Sequence, residues 1–327
     1  MVNGISVHVA MTERCNLKCI QCDLWKSKKK RDELSSKQWM KIFIGLRDWL
    51  GHSYQLNIGG GEPFIRKDLV EIIEFCSDND IRTCVITNAT LLEENSIKIL
   101  SKIETLTLNV SLDGVNSYTH NYLRGENVYQ RLIEVLRRFK TNERKCRIGI
   151  ATVLMGYNFM EIMQILNKLV IVDKLADGLI IQALWIPDVT GKYDREWYKK
   201  SVLWPLEHEK RALFTVIDEL IESQKKGMPV FNPMEQLKFF KIYFDHLERC
   251  VANLPCDIGN RNFILNPKGE VLLCWNLNSI GDILKERPED IWNSLLAEKR
   301  RKEIENCNKP CRILNCNFKF DIPFAYS

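Results

Sequence analysis

The chain has 327 residues, 45% of them hydrophobic and 27% charged, an ordinary globular composition that excludes wholesale disorder and collagen-like repeats. Lys and Arg number 47 against 42 Asp and Glu, and the formal net charge of +5 is too small to argue for nucleic acid, so none is expected. No apolar run reaches the ~18–20 residues of a membrane helix, and Met1 to Met11 lack the basic segment and apolar core of a signal peptide. The expectation is a cytoplasmic protein with no membrane partner. In that reducing compartment the twelve cysteines read as metal ligands or redox groups, not disulfides.

The first two-thirds of the chain alternates strand and helix signals. Short β-rich runs fall at Ile5–Met11, Gln55–Ile58, Thr83–Thr87, Leu106–Leu112, Ile148–Leu154 and Gly178–Leu184. Between them, Ser35 to Gln38 reads as a capping box opening a helix. Leu69, Ile72, Ile73 and Cys76 follow helical spacing. So do Val128, Leu132, Val135, Leu136 and Phe139, and again Phe159, Ile162, Met163, Leu166 and Leu169. Six strand–helix units in series predict a parallel sheet with helices outside, either an open doubly wound sheet or a partial barrel. After Trp185 the pattern breaks. Helices are expected around Leu213–Ile221, ended by Gly227, and over Glu235–Leu247. Phe263–Leu265 and Val271–Leu273 flank Asn266-Pro267-Lys268-Gly269, a hairpin turn signal, and a helix from Pro288 to about Ile304 follows.

The cysteines gather at the two ends of the chain. Cys15, Cys19 and Cys22 come just after the first expected strand, on the loop where active sites of parallel α/β folds collect. Three thiolates are one fewer than a closed zinc site or a four-cysteine iron–sulfur cluster requires. A cube held by three leaves one iron open to chelate a substrate or cofactor. The alternatives are zinc with a fourth ligand from elsewhere, or plain packing. Gly59-Gly60-Gly61-Glu62-Pro63 follows the second strand, where glycines let a ligand approach the backbone and Glu62 offers an acceptor for an amino group.

The C-x3-C-x2-C triad, Gly-Gly-Glu-Pro, Thr87-Asn88 after the third strand and Ser111-Leu112-Asp113-Gly114 after the fourth together resemble the radical S-adenosylmethionine (SAM) superfamily. The resemblance spans Val7 to about Leu184. It implies an α/β fold, a partial (β/α)6 TIM-like barrel, with a [4Fe-4S] cluster on Cys15, Cys19 and Cys22 whose open iron holds the amino and carboxylate groups of SAM. By the same resemblance Gly60, Gly61 and Glu62 receive the methionine amino group, Asn88 belongs to the cofactor site, and Ser111 is the ribose contact. Arg124 is placed to meet the SAM carboxylate, because guanidinium forks suit carboxylates; a solvated surface arginine is the alternative. The implied chemistry is reductive cleavage of SAM to a 5′-deoxyadenosyl radical that removes hydrogen from an unactivated carbon. One residue departs from the pattern. The position before the third cysteine, usually aromatic in the family, is Gln21, and Trp25 is the nearest substitute for placing adenine.

The second group, Cys256, Cys274, Cys307, Cys311 and Cys316, spans the hairpin and the end of the last helix. It resembles the SPASM/twitch extensions of radical SAM enzymes, and having too few cysteines for two further clusters it implies one auxiliary [4Fe-4S] cluster, the twitch form. Cys256 and Cys274 are expected ligands with two of the remaining three; a zinc ribbon is the alternative. The expected organisation is 1–205 for the radical SAM core, 206–248 for a helical linker and 249–327 for the small hairpin-plus-helix iron–sulfur domain. Cys250 is read as a hydrogen donor, a further ligand or an inert thiol. The basic run Lys26 to Arg31 is a solvated loop or a dock for an acidic electron donor such as flavodoxin or ferredoxin. Trp185, Trp197 and Trp204 are read as packing residues. Because the triad begins at Cys15, with no room before it for a leader-binding module, the reading favours a small carbohydrate-like substrate, with epimerisation ahead of dehydrogenation. The alternatives are radical modification of a ribosomal peptide and a zinc-stapled binding protein without catalysis.

Overall fold

The computed structural model describes residues 4–26, 32–51, 54–185, 194–247 and 256–317. Six strands, β1 (Ser6–Thr12), β2 (Gln55–Gly60), β3 (Arg82–Thr87), β4 (Leu106–Ser111), β5 (Arg147–Leu154) and β6 (Gly178–Ala183), pair in parallel with their chain neighbours. Among the described residues β6 does not pair with β1, so this is the partial barrel, left open on one side.

Alternation along the strands separates two faces. Val7, Val9 and Met11, then Leu56 and Ile58, then Leu106, Leu108 and Val110 are buried under the helices. The register carries His8 beside Asn57 and Asn57 beside Cys84, so the other face is polar. There Asn57 Nδ2 donates to Ser6 Oγ and Asn109 Nδ2 to Cys84 Sγ. Burial lowers the His8 pKa to about 4, as expected of a packed imidazole.

The helices α1 (Ser36–Leu50), α2 (Leu69–Asp78), α3 (Glu94–Ser101), α4 (Ser117–Arg124) and α5 (Val128–Thr141) cover the apolar face. Ser35 and Gln38 form the expected capping box on α1. The segment after β5 differs from the expected α-helix: a 3-10 turn and one α turn lead into a π-helix over Ile165–Val172. Its buried residues Ile165, Leu166, Leu169 and Val170 share one face at either period, so apolar spacing alone does not separate the two. The single helix expected from Pro288 to Ile304 is likewise two, Pro288–Trp292 and Leu295–Glu305, because Ser294 caps the second. Trp185, Trp197 and Trp204 pack with Tyr198, Tyr243 and Phe244.

The C-terminal hairpin is not a separate sheet. β7 (Asn262–Leu265) pairs in parallel with β1, and β8 (Glu270–Leu272) and β9 (Gly281–Asp282) follow antiparallel, giving one nine-stranded sheet. At the opposite edge, Asn232 Nδ2 and Oδ1 bond the carbonyl and N–H of Ile181. Asn315 does the same for Ala183. The C-terminal segment therefore touches both edges of the open barrel.

Candidate active site

The loop after β1, the turn after β2 and the ends of β3, β4 and β5 enclose a cavity of about 210 Å3 at the C-terminal ends of the strands. Cys15, Cys19 and Cys22 all line it, with Gly60, Gly61, Glu62, Asn88, Ser111 and Arg124. Each residue assigned to this site from the sequence thus meets the others in one place. Leu17, Leu24, Trp25, Ile86 and Val153 make the apolar part of the wall.

Burial raises the Cys15 thiol and pushes Cys19 up to about 11, so both hold their protons until a metal replaces them. Cys19 and its loop are braced against α4. Ile20 N–H donates to Leu123 O at 3.0 Å, and Trp25 Nε1–H donates to Cys19 O at 3.2 Å.

The glycines serve the protein before any ligand. Gly61 N–H donates to Thr12 O and Glu62 N–H to Arg14 O, continuing the β1–β2 ladder past Gly60. A Cβ on Gly60, whose φ is +105°, would collide with Thr12 O, and one on Gly61 with Arg14 O. Close approach to a ligand was the expected reason for these glycines. The structure shows close approach to the backbone that leads into Cys15.

Glu62 is 1% exposed. Its Oε1 accepts from Thr87 Oγ1 at 2.7 Å and Phe64 N–H at 3.1 Å, and Oε2 from Asn88 N–H at 2.8 Å. Burial raises its pKa against these three hydrogen bonds. Lone pairs remain for a cationic donor, whose charge would offset the desolvation. Asn88 Nδ2 donates to Asn16 Oδ1, tying the end of β3 to the cysteine loop.

Arg124 is not a solvated surface residue, since its side chain is 11% exposed. Nε donates to Asp113 Oδ2 at 2.6 Å. Burial opposes the guanidinium charge, but Asp113 together with the nearby Cys19 and Cys22 more than offsets this and holds the pKa above the ordinary arginine value. Asp113, fully buried, also accepts Gln21 Nε2 on Oδ2 at 2.6 Å and Val153 N–H on Oδ1 at 2.8 Å. Its own N–H donates to His120 Nδ1. This hub was missed in the sequence, although Asp113 lies in the motif that singled out Ser111.

In the C-terminal region, Cys311 lies within electrostatic reach of Cys274, Cys307 and Cys256, and burial with these neighbours raises its pKa. Four thiols thus converge from the hairpin, the end of the last helix and the turn beyond. The Cys316 side chain, Cys250 and residues 27–31 of the basic run lie outside the described residues. Among the described residues no three Cys, His, Asp or Glu side chains gather closely enough to hold a single metal ion. A single tetrahedral ion draws its sulfurs to within about 4 Å of one another, whereas a cubane separates them around a larger body. Four thiols are the donor set that a fully ligated [4Fe-4S] cluster requires.

A partial parallel barrel with a three-cysteine loop facing a Gly-Gly-Glu turn, and a second cysteine group in the C-terminal segment, is the architecture of a radical SAM enzyme with an auxiliary cluster. The chain belongs to the radical SAM superfamily: residues 9–169 match that family and residues 256–317 match the SPASM iron-sulfur cluster-binding domain. Its cofactors are SAM and two [4Fe-4S] clusters. The Fe-coproporphyrin III synthase of Methanosarcina barkeri is 31% identical over 340 residues, covering 95% of this chain and 82% of that protein. The PqqA peptide cyclase of Bradyrhizobium diazoefficiens is 25% identical over 326 residues, covering 96% and 79%. The Streptococcus suis SuiB structure bound to precursor peptide SuiA superposes with a TM-score of 0.68 at 18% identity, covering 92% of this chain and 67% of that one. Among the described residues no helix is long and apolar enough to cross a membrane.

Proposed function

We propose that this radical SAM enzyme modifies a peptide. The observation that carries the proposal is the likeness, over nearly the whole chain, to a relative named as a peptide cyclase. The carbohydrate-like substrate and the epimerase reaction expected from the sequence find no support among these relatives. A tetrapyrrole is the second reading, carried by the 31% identity to the Fe-coproporphyrin III synthase.

In the proposed site Cys15, Cys19 and Cys22 hold the catalytic cluster, and Cys256, Cys274, Cys307 and Cys311 hold the auxiliary one. When bound, the catalytic cluster and SAM supply a reductively generated carbon radical. Glu62 receives the methionine ammonium, Arg124 the carboxylate and Ser111 the ribose. Asp113 holds Arg124 in place, and the apolar wall of Leu17, Leu24, Ile86 and Val153 excludes water from the reacting atoms. The donor of electrons is a small redox protein such as flavodoxin or ferredoxin.

Reconstituted protein should hold about eight irons per chain, and about four once Cys15, Cys19 and Cys22 are all alanine. Iron assay of both proteins checks this, and stoichiometric zinc in place of iron would refute it. For substrate class, the reduced enzyme is incubated with SAM and one of three probes: synthetic peptides encoded by small reading frames beside its gene, iron coproporphyrin III, or a sugar panel. A peptide that accelerates 5′-deoxyadenosine release and returns with altered mass supports the proposal. Acceleration only by the porphyrin moves the assignment to the second reading.

A further inference from the structure

Beneath the SAM cavity, the inner face of the barrel carries buried polar atoms that the protein leaves without partners. Ile86 and Ser111 line the cavity. Strand alternation puts Cys84 and Asn109 on the same face two residues earlier in β3 and β4, about 6.6 Å deeper. Asn57 and His8 continue this layer onto β2 and β1. His8 Nε2 is buried without a hydrogen-bond partner. So is Asn109 Oδ1, while Nδ2 of the same amide is spent on Cys84 Sγ at 3.1 Å. Buried polar atoms in this state are costly and normally meet a partner.

The space above this layer is open. Gly59 pairs with Ala10, and Ala151 with Ser111, so small residues stand between the layer and the cavity. A Cβ on Gly59 would meet nothing within 4 Å. His8, Asn57 and Asn109 are only half-buried, although they lie on the inside of a nine-stranded sheet.

None of these side chains is charged. Burial lowers the His8 pKa to about 4 and pushes the Cys84 thiol up to about 11, so both are neutral at physiological pH. A carboxylate or ammonium group would lose its hydration here and gain no counter-charge. A hydroxyl has one proton to donate and lone pairs to accept with, which matches the two orphaned atoms. With His8 in its Nε2–H tautomer, the hydroxyl oxygen accepts from His8 and its proton goes to Asn109 Oδ1. We propose that His8 and Asn109 form a substrate subsite that takes a neutral, hydroxyl-bearing side chain and rejects charged ones. This deepens the peptide reading and rests on it only for the kind of molecule that carries the hydroxyl.

The test uses no peptide, so its failure and a failure of the peptide reading are separate results. Unreduced holoenzyme with SAM bound and isotope-labelled histidine is titrated with p-cresol, n-butanol, toluene, p-toluate and p-methylbenzylamine. Loss of one imidazole signal in His8→Leu identifies His8, and ligand-detected NMR gives the affinities. p-Cresol should shift the His8 signal saturably and bind about tenfold tighter than toluene, a ratio equivalent to about 1.4 kcal/mol. The two charged probes should bind more weakly than toluene. His8→Leu and Asn109→Leu should each bring the ratio of p-cresol to toluene towards one and leave SAM affinity unchanged. A wild-type ratio in one variant overturns the assignment of that residue, and in both it refutes the subsite. No His8 shift with either hydroxyl probe, or a charged probe that binds as well as p-cresol, also refutes it. Should a variant fail to load clusters, the wild-type ratio decides: p-cresol no tighter than toluene overturns the proposal.

Discussion

At Glu62, one carboxylate holds the protein together and is placed to hold the ligand. Its raised pKa means the folded chain binds that proton more tightly than the unfolded chain. Stability of the SAM-free chain without its clusters is therefore lost as pH rises from the ordinary carboxylate pKa through the raised one. SAM affinity has the opposite sign. The ammonium needs the carboxylate, so affinity should fall on acidification through the raised pKa, level off above it, and release a proton on binding. Calorimetry over a pH series checks both features. Glu62→Gln should bind SAM about 1.5–3 kcal/mol more weakly at neutral pH and show no dependence in that window. Gly61 makes a second prediction at this scale. Gly61→Ala forces its new Cβ into Arg14 O, so the β2 turn and the loop entering Cys15 must separate. The expected cost is about 1–3 kcal/mol in chemical unfolding, with reduced iron at the first site.

Between elements, the cysteine loop is fastened to the barrel by the amide, carboxylate and guanidinium of Gln21, Asp113 and Arg124. Asp113 joins the loop, α4 and β5, three elements that the chain presents far apart. Asp113→Ala leaves Arg124 buried without its carboxylate and Gln21 without its acceptor. Breaking a buried ion pair from one side costs about 3–5 kcal/mol. Urea unfolding should show that loss, and SAM affinity should fall as well because Arg124 is no longer oriented. A variant as stable as wild type would show that the hub is dispensable. The helical patterns under these elements were legible because burial repeats with the turn: Leu132, Val135, Leu136 and Phe139 are all buried on α5 as the spacing predicts. The π-helix over Ile165–Val172 was not legible, because over eight residues the apolar positions suit either period.

Across the whole molecule, the C-terminal segment closes what the barrel leaves open. The hairpin joins β1 at one edge, and Asn315 stands in for a neighbouring strand at the other by bonding both backbone groups of Ala183. Asn315→Ala should expose that edge, raising amide hydrogen exchange around Ala183 with a stability loss of about 1–3 kcal/mol. Asn315 lies between Cys311 and Cys316, so stripping iron from the auxiliary site should raise exchange at the same amides. Unchanged exchange in both experiments would separate the auxiliary site from barrel closure. The amino-acid sequence by itself determined the order of strands and helices in the barrel and where the thiols gather along the chain, because periodicity and spacing are local properties; the class of cofactor followed from the family resemblance that the cysteine triad and the Gly-Gly-Glu turn carry. Tertiary structure alone decided that the hairpin extends the barrel sheet, and that Gly60 and Gly61 are required by the loop backbone. It also decided that Gln21 meets Asp113 and Asn315 meets Ala183. Those last contacts join residues 92 and 132 positions apart. Both depend on hydrogen-bond geometry that no residue type or spacing encodes on its own.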